Sequence, residues 1–310
     1  MSENFNVESS LIDRFLTRLK RIKGNDHSTY RLYRGCLKKY DEWVDIDPKE
    51  VAALDIEDYL LYLKNEGYAG NTVSTHFTAL RKFYTTVKDK FEVIEDHPCE
   101  GVDLKELDVY DRRENDDKVY YVSEDEKEQM IENISDRYYV RDRLVIELFW
   151  QTGLRRNELR KIQMDNLDQK NNSIRVYGEK TDEWRTVHYQ PSLNRFLDLW
   201  IDNERPLMWD SEYLFPSKRA ELISAREIGQ TVRDAASEIN EVVGETQDGH
   251  RKLRISTHSL RHGHAVHALK SGVNVRAVQM QLGHKDIDTT MQYLRLVDDD
   301  VREAYQGFSG

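Results

Sequence analysis

The sequence predicts a mainly α-helical protein of two domains, with a small antiparallel β-sheet confined to the second. Three observations lead there. Apolar residues recur at helical spacing in segment after segment. An acidic stretch without periodicity interrupts them at residues 96–118. One later run, SIRVYGEKTDEWRTVHY, alternates around a charged turn as a hairpin does. With 310 residues, each domain can bury its own core.

Residues 8–95 read as a bundle of four or five helices. SSLIDRFLTRLKRIK sets Leu11, Phe15, Leu19 and Ile22 on one face. STYRLYRGCLKKYDEWV starts from Ser28 as an N-cap and carries Tyr30, Tyr33, Leu37 and Tyr40 on its stripe. DIEDYLLYLKNEG runs from an Asp to Gly67, and GNTVSTHFTALRKFYTTVK follows a Gly-Asn break with Val73, Phe77, Leu80 and Tyr84 aligned. Residues 96–118 read as an acidic linker. In the second domain, 119–310, Ser123 and Glu126 form a capping-box signature. RDRLVIELFWQTG is a strongly apolar helix that ends at Gly153. The hairpin comes next, and helical patterns then continue to the C-terminus, one of them capped by Thr257.

The formal net charge of −11 argues against a nucleic-acid partner until its distribution is considered. The stretch Asp96–Glu128 holds 13 acidic and 5 basic residues, so it carries −8 and leaves −3 for the rest. Basic clusters such as RLKRIK, GLRRNELRK and HRKLR lie outside it, and a local basic face can still hold phosphates. Cys36 and Cys99 fit no metal spacing and are too few for a disulfide framework, which points to a reducing cytoplasm. The polar start MSENFNVESS is no signal peptide, and no run has the length of a membrane span.

Candidate reactive residues gather in the second domain. Arg155 follows the helix-ending Gly in TGLRRNEL, with Glu158 one helical turn on; the pair reads as a surface ion pair or as a guanidinium held ready for a phosphate. Lys180, at the hairpin tip, is a solvated lysine or an ammonium carried into a DNA groove. In THSLRHGHAVHALK, His258 and Arg261 share the first turn of a helix, where the dipole favours an anion. His262, His264 and His267 read as plain core or surface residues; His258 and His262 lack the Glu that a zincin helix places between its histidines, so no metal is expected. His284 closes VRAVQMQLGH at a helix-ending Gly283, and Tyr293 follows on a helix capped by Asp286 or Asp288. Taken alone, Tyr293 reads more readily as a core aromatic than as a nucleophile.

Together these residues match one chemistry. A tyrosine hydroxyl, with a pKa of about 10, attacks a phosphodiester only if a neighbour removes its proton. Arginines and imidazoles stabilise the charge on the non-bridging oxygens, and a lysine protonates the departing 5′-oxygen. No metal is required.

The order of these motifs resembles the tyrosine recombinase (phage-integrase or Xer-like) family over nearly the whole chain. TGLRRNEL is similar to its first-arginine motif, HSLRH to its His-x-x-Arg box, and LGHKDIDTTMQYLR to its closing motif. EKTD resembles its hairpin lysine motif, with Asp where many members have Gly. STYRLYRGCLKKYDEW and NTVSTHFTALRKFY resemble its N-terminal domain. The resemblance implies a SAM-like helical core-binding domain followed by a tyrosine recombinase catalytic domain. It implies Arg155, Lys180, His258, Arg261, His284 and Tyr293 as catalytic residues, with Glu158 in support. A clamp around double-stranded DNA, a 3′-phosphotyrosine intermediate and a homotetramer on two sites follow from it. So do the absence of any cofactor and room for an accessory DNA-bending protein. Two other activities fit the same residues less well: relaxation of DNA by a type IB topoisomerase-like enzyme, and DNA binding by a non-catalytic accessory protein.

Overall fold

The structure is a computed structural model that describes residues 10–24, 28–109, 119–179, 181–245 and 251–306. The chain divides into two compact units, Met1–Asp117 and Lys118–Gly310.

The first unit is helical. Its helices are α1 (Leu11–Lys23), α2 (Ser28–Trp43), α3 (Ala53–Asn65) and α4 (Gly70–Thr86). The apolar stripes meet as the periodicity requires: Phe15, Leu37, Ile56, Leu60, Leu63 and Phe83 are fully buried. Tyrosines fill much of this core, and they bury because their hydroxyls find partners. Tyr40 bonds Tyr84 at 2.9 Å, and Tyr59 bonds His76 Nδ1 at 2.8 Å. The Asp expected to start α3 acts from inside it: Asp55 accepts from the Ala52 N–H at 2.8 Å, while Ala52 is the N-cap residue. Past α4, Cys99 and Val109 are buried in the same core, with Val102, Leu104 and Leu107 packed against it. The acidic stretch is thus anchored up to residue 109 by apolar residues too sparse to show a period.

In the second unit, α5 (Glu124–Glu132) opens with the expected capping box, Ser123 and Glu126 exchanging backbone bonds. Helix α6 (Tyr139–Thr152) is apolar through most of its last two turns and accordingly lies in the core, burying Leu144 to Trp150, Glu147 among them, without a break. Gly153 ends it in the left-handed region at φ 62°. The short α7 (Arg156–Arg160) follows. Strands β1 (Leu167–Asp168), β2 (Ser173–Gly178) and β3 (Glu183–His188) form an antiparallel sheet in chain order. Its register pairs Ile174 with Val187 and Val176 with Arg185 on the buried face, and Tyr177 with Trp184 on the other.

Helices α8 (Asn194–Leu199) and α9 (Ala225–Ala235) precede a second sheet of β4 (Val242–Glu245) and β5 (Arg251–Leu253). The sequence indicated one small sheet; this second one escapes notice because its strands are short and a bulge between Val242 and Gly244 breaks the alternation. The chain closes with α10 (Thr257–Lys270), α11 (Val275–Leu282) and α12 (Asp288–Gln306). Ser256, not Thr257, caps α10, accepting from the N–H groups of His258 and Ser259. No described helix is long and apolar enough to cross a membrane.

Candidate active site

The site grows from two helix ends. Gly153 stops α6 where a Cβ would lie 2.6 Å from both His264 Cδ2 and Leu282 Cδ2, so only glycine fits the turn. The chain then places Arg155 at the start of α7, with Glu158 one turn on. Glu158 is 5 % exposed and accepts from the Arg155 N–H at 2.8 Å and from Arg155 Nη1 at 2.9 Å. A second arginine reaches it from the sheet. Arg185 on β3 donates Nη1 and Nη2 to the two carboxylate oxygens, each at 2.8 Å, and Nε to the Gln281 carbonyl at 3.1 Å. Burial pushes the Glu158 carboxyl up, but the Arg185 and Arg155 donors outweigh it and hold the carboxyl below its usual range.

The arginines also neutralise helix ends. Arg261, 4 % exposed on α10, bonds the Gly153 carbonyl through Nη1 and the Leu282 carbonyl through Nη2, the latter at 2.8 Å. Arg155 Nη2 reaches the Gly283 carbonyl at 3.3 Å. These are C-terminal carbonyls of α6 and α11, which the helix leaves without intrahelical partners and which carry its negative pole. Burial, then the charge of Arg155, brings the Arg261 guanidinium down to about 9, which leaves it cationic at neutral pH. Gly283, at φ 68°, lets Arg185 pass: a Cβ there would stand 2.9 Å from the Arg185 side chain.

Tyr293 lies on α12, 1 % exposed, packed with Ala265, Val266, Val278 and Leu282. Its hydroxyl meets His262 Nδ1 at 2.7 Å. His284 stacks on the same ring, centroids 6.4 Å apart, and its Nδ1 meets Thr290 Oγ1 at 2.8 Å. Burial raises the Tyr293 phenol, while Arg261, Gln292 and Arg155 pull it back. Burial also brings His262 to about 4, aided by His258 and Arg261, and His284 to about 4, aided by Arg261 and Arg155. Both imidazoles are therefore neutral at pH 7 and have a lone pair to offer. This is an arrangement in which a phenol faces a neutral imidazole inside a field of fixed cations.

The structure brings Arg155, Glu158, Arg261, His284 and Tyr293 together from α7, α10, the turn after α11, and α12. His258 lies exposed on the first turn of α10, one turn from His262. Lys180 lies outside the described residues. Two members of the cluster lie outside the residues that the motifs single out. His262, which by sequence reads as a plain core or surface histidine, holds the Tyr293 hydroxyl. Arg185 stands in the hairpin, where its place two residues before Val187 on one strand face signals that it turns inward. Among the described residues, no group of three or more His, Cys, Asp or Glu side chains is placed to hold a metal ion.

Comparison with known proteins accords with this geometry. Residues 121–299 match the phage integrase family, and residues 11–91 match its N-terminal SAM-like domain. Tyrosine recombinase XerD of Staphylococcus aureus is 25 % identical over 311 aligned positions, covering 96 % of this chain and 98 % of the relative. XerD of Shewanella oneidensis is 26 % identical over 303, covering 96 % and 95 %. Among solved structures, the XerH site-specific recombinase bound to its palindromic difH substrate superposes with a TM-score of 0.72 at 19 % identity, covering 96 % of this chain and 83 % of that one. The Tn1549 transposon integrase in complex with a circular intermediate DNA gives 0.68 at 20 % identity, covering 92 % and 95 %. At such identities the structural likeness speaks for the fold.

Proposed function

The chain belongs to the phage integrase family of tyrosine recombinases, and from that membership we propose that it recombines duplex DNA at defined sites through a 3′-phosphotyrosine on Tyr293. The observation that carries this reading is the contact of the Tyr293 hydroxyl with the neutral His262 imidazole beside Arg155 and Arg261. In the first step the phenol proton passes to His262 Nδ1 as the phenolate oxygen bonds the scissile phosphorus and the bond to the 5′-oxygen breaks. Lys180 protonates that leaving oxygen. Arg155, Arg261, His258 and the Nε2 side of His284 stabilise the charge on the non-bridging oxygens. Glu158 and Arg185 hold Arg155 in place.

In the second step the 5′-hydroxyl of a partner strand gives its proton to Lys180 and attacks the phosphotyrosine; the bond from phosphorus to Tyr293 breaks and His262 returns the phenol's proton. Each bond broken is matched by one formed, so no nucleotide cofactor is consumed. Tyr293 is buried in the conformation described, so attack requires α12 to move until phosphate can reach the hydroxyl while it keeps its contact with His262. Four protomers on two duplex sites supply the partner strands, and an accessory DNA-bending protein can assist their pairing.

The test separates strand exchange from simple relaxation. A supercoiled plasmid carrying two copies of a DNA sequence selected by binding to this protein is incubated with it. Products with exchanged flanks are expected; relaxed plasmid with no exchange would overturn recombination in favour of a topoisomerase-like activity.

A further inference from the structure

The second unit holds another concentration of positive charge, at the opposite end of α6 from Arg155. Tyr138 stands just before that helix, and three cations surround its ring. Arg141 Cζ lies 4.3 Å from the centroid, Arg137 Cζ 5.2 Å and Lys218 Nζ 5.6 Å. Arg219 lines the same depression, which has a volume of about 420 Å³. Lys218 and Arg219 are presented by a tight turn: the Ser217 N–H donates to the Ala220 carbonyl at 2.9 Å, and the Arg219 N–H to Ser217 Oγ at 3.2 Å.

Two carboxylates stand nearby. Asp142 pairs with Arg141 at 2.7 Å and offsets that one cation, while Glu227 accepts from the Ser224 N–H at 3.2 Å as it caps α9. Arg137, Lys218 and Arg219 are exposed. Cation–π contact at a partly exposed ring is worth only about 0.5–1 kcal/mol, too little to account for gathering these three exposed cations in a chain of net charge −11. An oxyanion would satisfy them, and arginine forks with a lysine are the donors phosphate prefers.

We infer that this Tyr138-centred depression binds a backbone phosphate of the DNA duplex other than the one cleaved. The inference rests on the DNA recombinase reading above. Twelve residues of rise separate Arg141 from Gly153 along α6, about 18 Å at ~1.5 Å per residue. One phosphate cannot touch both clusters. That separation equals roughly five rises of 3.4 Å along a DNA strand. Contacts of this kind carry no sequence information; they set the position of the enzyme on its duplex.

Binding of the full chain to a random-sequence duplex, measured by fluorescence anisotropy across a salt series, tests this directly. Replacing Arg137, Lys218 and Arg219 together by alanine is expected to lower the slope of log K against log salt by about 1, near 0.9 for the one phosphate lost. Lys218→Ala alone is expected to weaken binding severalfold, and Lys218→Arg to restore it. Unchanged circular dichroism is expected, since the three side chains are exposed. A wild type that binds duplex while the triple variant keeps the full slope would overturn this inference and leave the recombinase reading standing. Inorganic phosphate that binds at the cluster without any change in the DNA slope would also overturn it. A wild type that binds no duplex would overturn both.

Discussion

Arg185→Met is the most informative single change, because it removes one side of the buried ion pair without touching the reacting groups. Arg185 gives Glu158 two parallel bonds of 2.8 Å, and the Glu158 side chain is 3 % exposed against 14 % for Arg185. Deleting one partner of such a pair costs about 3–5 kcal/mol, because the remaining charge stays buried. Glu158 keeps its bonds from Arg155, so the lower end, about 3 kcal/mol, applies. For a unit of this size that lowers Tm by roughly 6–12 °C. Thermal unfolding followed through the buried Trp200 reads it.

The loss should also vanish in acid. Glu158 has a depressed carboxyl, so its contribution is fully present above the unfolded pKa of about 4.3 and is lost as pH falls through the lower folded value. The gap between wild type and Arg185→Met therefore closes below that pH. Neutralising the orphaned acid in Glu158→Gln/Arg185→Met should recover part of the stability. Covalent DNA capture should fall about 10²-fold as Arg155 loses its fixed geometry. A Tm shift under about 2 °C at pH 7, or a double variant no better than the single one, would show that the Arg185–Glu158 pair does not hold the fold in this way.

Other outcomes follow from the same contacts. Gly153→Ala meets two side chains at 2.6 Å in a left-handed turn, so it should destabilise by about 2–4 kcal/mol, read as a lower urea midpoint; a change under 1 kcal/mol would contradict the fit. His262, His264 and His284 all sit at about 4, below the usual 6.5. Their neutral forms stabilise the fold fully above about 6.5, and that stability is lost as pH falls toward 4, so the urea midpoint should drop steeply over this window. A flat profile there would count against their burial. EDTA is expected to leave covalent DNA capture unchanged, since every proton and charge in the proposed steps is handled by side chains; loss of capture would favour a metal-dependent nuclease.

Much of the architecture was legible because helices announce themselves by period and glycine. Gly153 and Gly283 end α6 and α11 in the left-handed region, as their places after apolar runs indicate. The capping box at Ser123 was equally plain. The N-terminus of α10 lay one residue off, since Ser256 and Thr257 are both competent caps and only the backbone geometry chooses. Arg155 and Glu158 meet through local spacing, which sequence displays. Arg185 meets Glu158 across 27 residues, and His262 meets Tyr293 across 31, through packing that no local pattern encodes. Tyrosine burial was no guide at all. Tyr40, Tyr59 and Tyr84 are as buried as Tyr293 and serve the first core. What distinguishes Tyr293 is its company of arginines and histidines.

The central claim is that this hydroxyl attacks DNA. Nicked suicide duplexes of a sequence selected by binding, incubated with the full chain, trap the covalent step because the nicked fragment diffuses away. The expected product is a protein–DNA adduct that survives SDS, maps to the Tyr293 peptide by mass spectrometry, and vanishes in Tyr293→Phe while the variant keeps its fold and its DNA binding. An adduct that persists in Tyr293→Phe or maps to another residue such as Tyr305, or cleavage with no adduct at all, would contradict it.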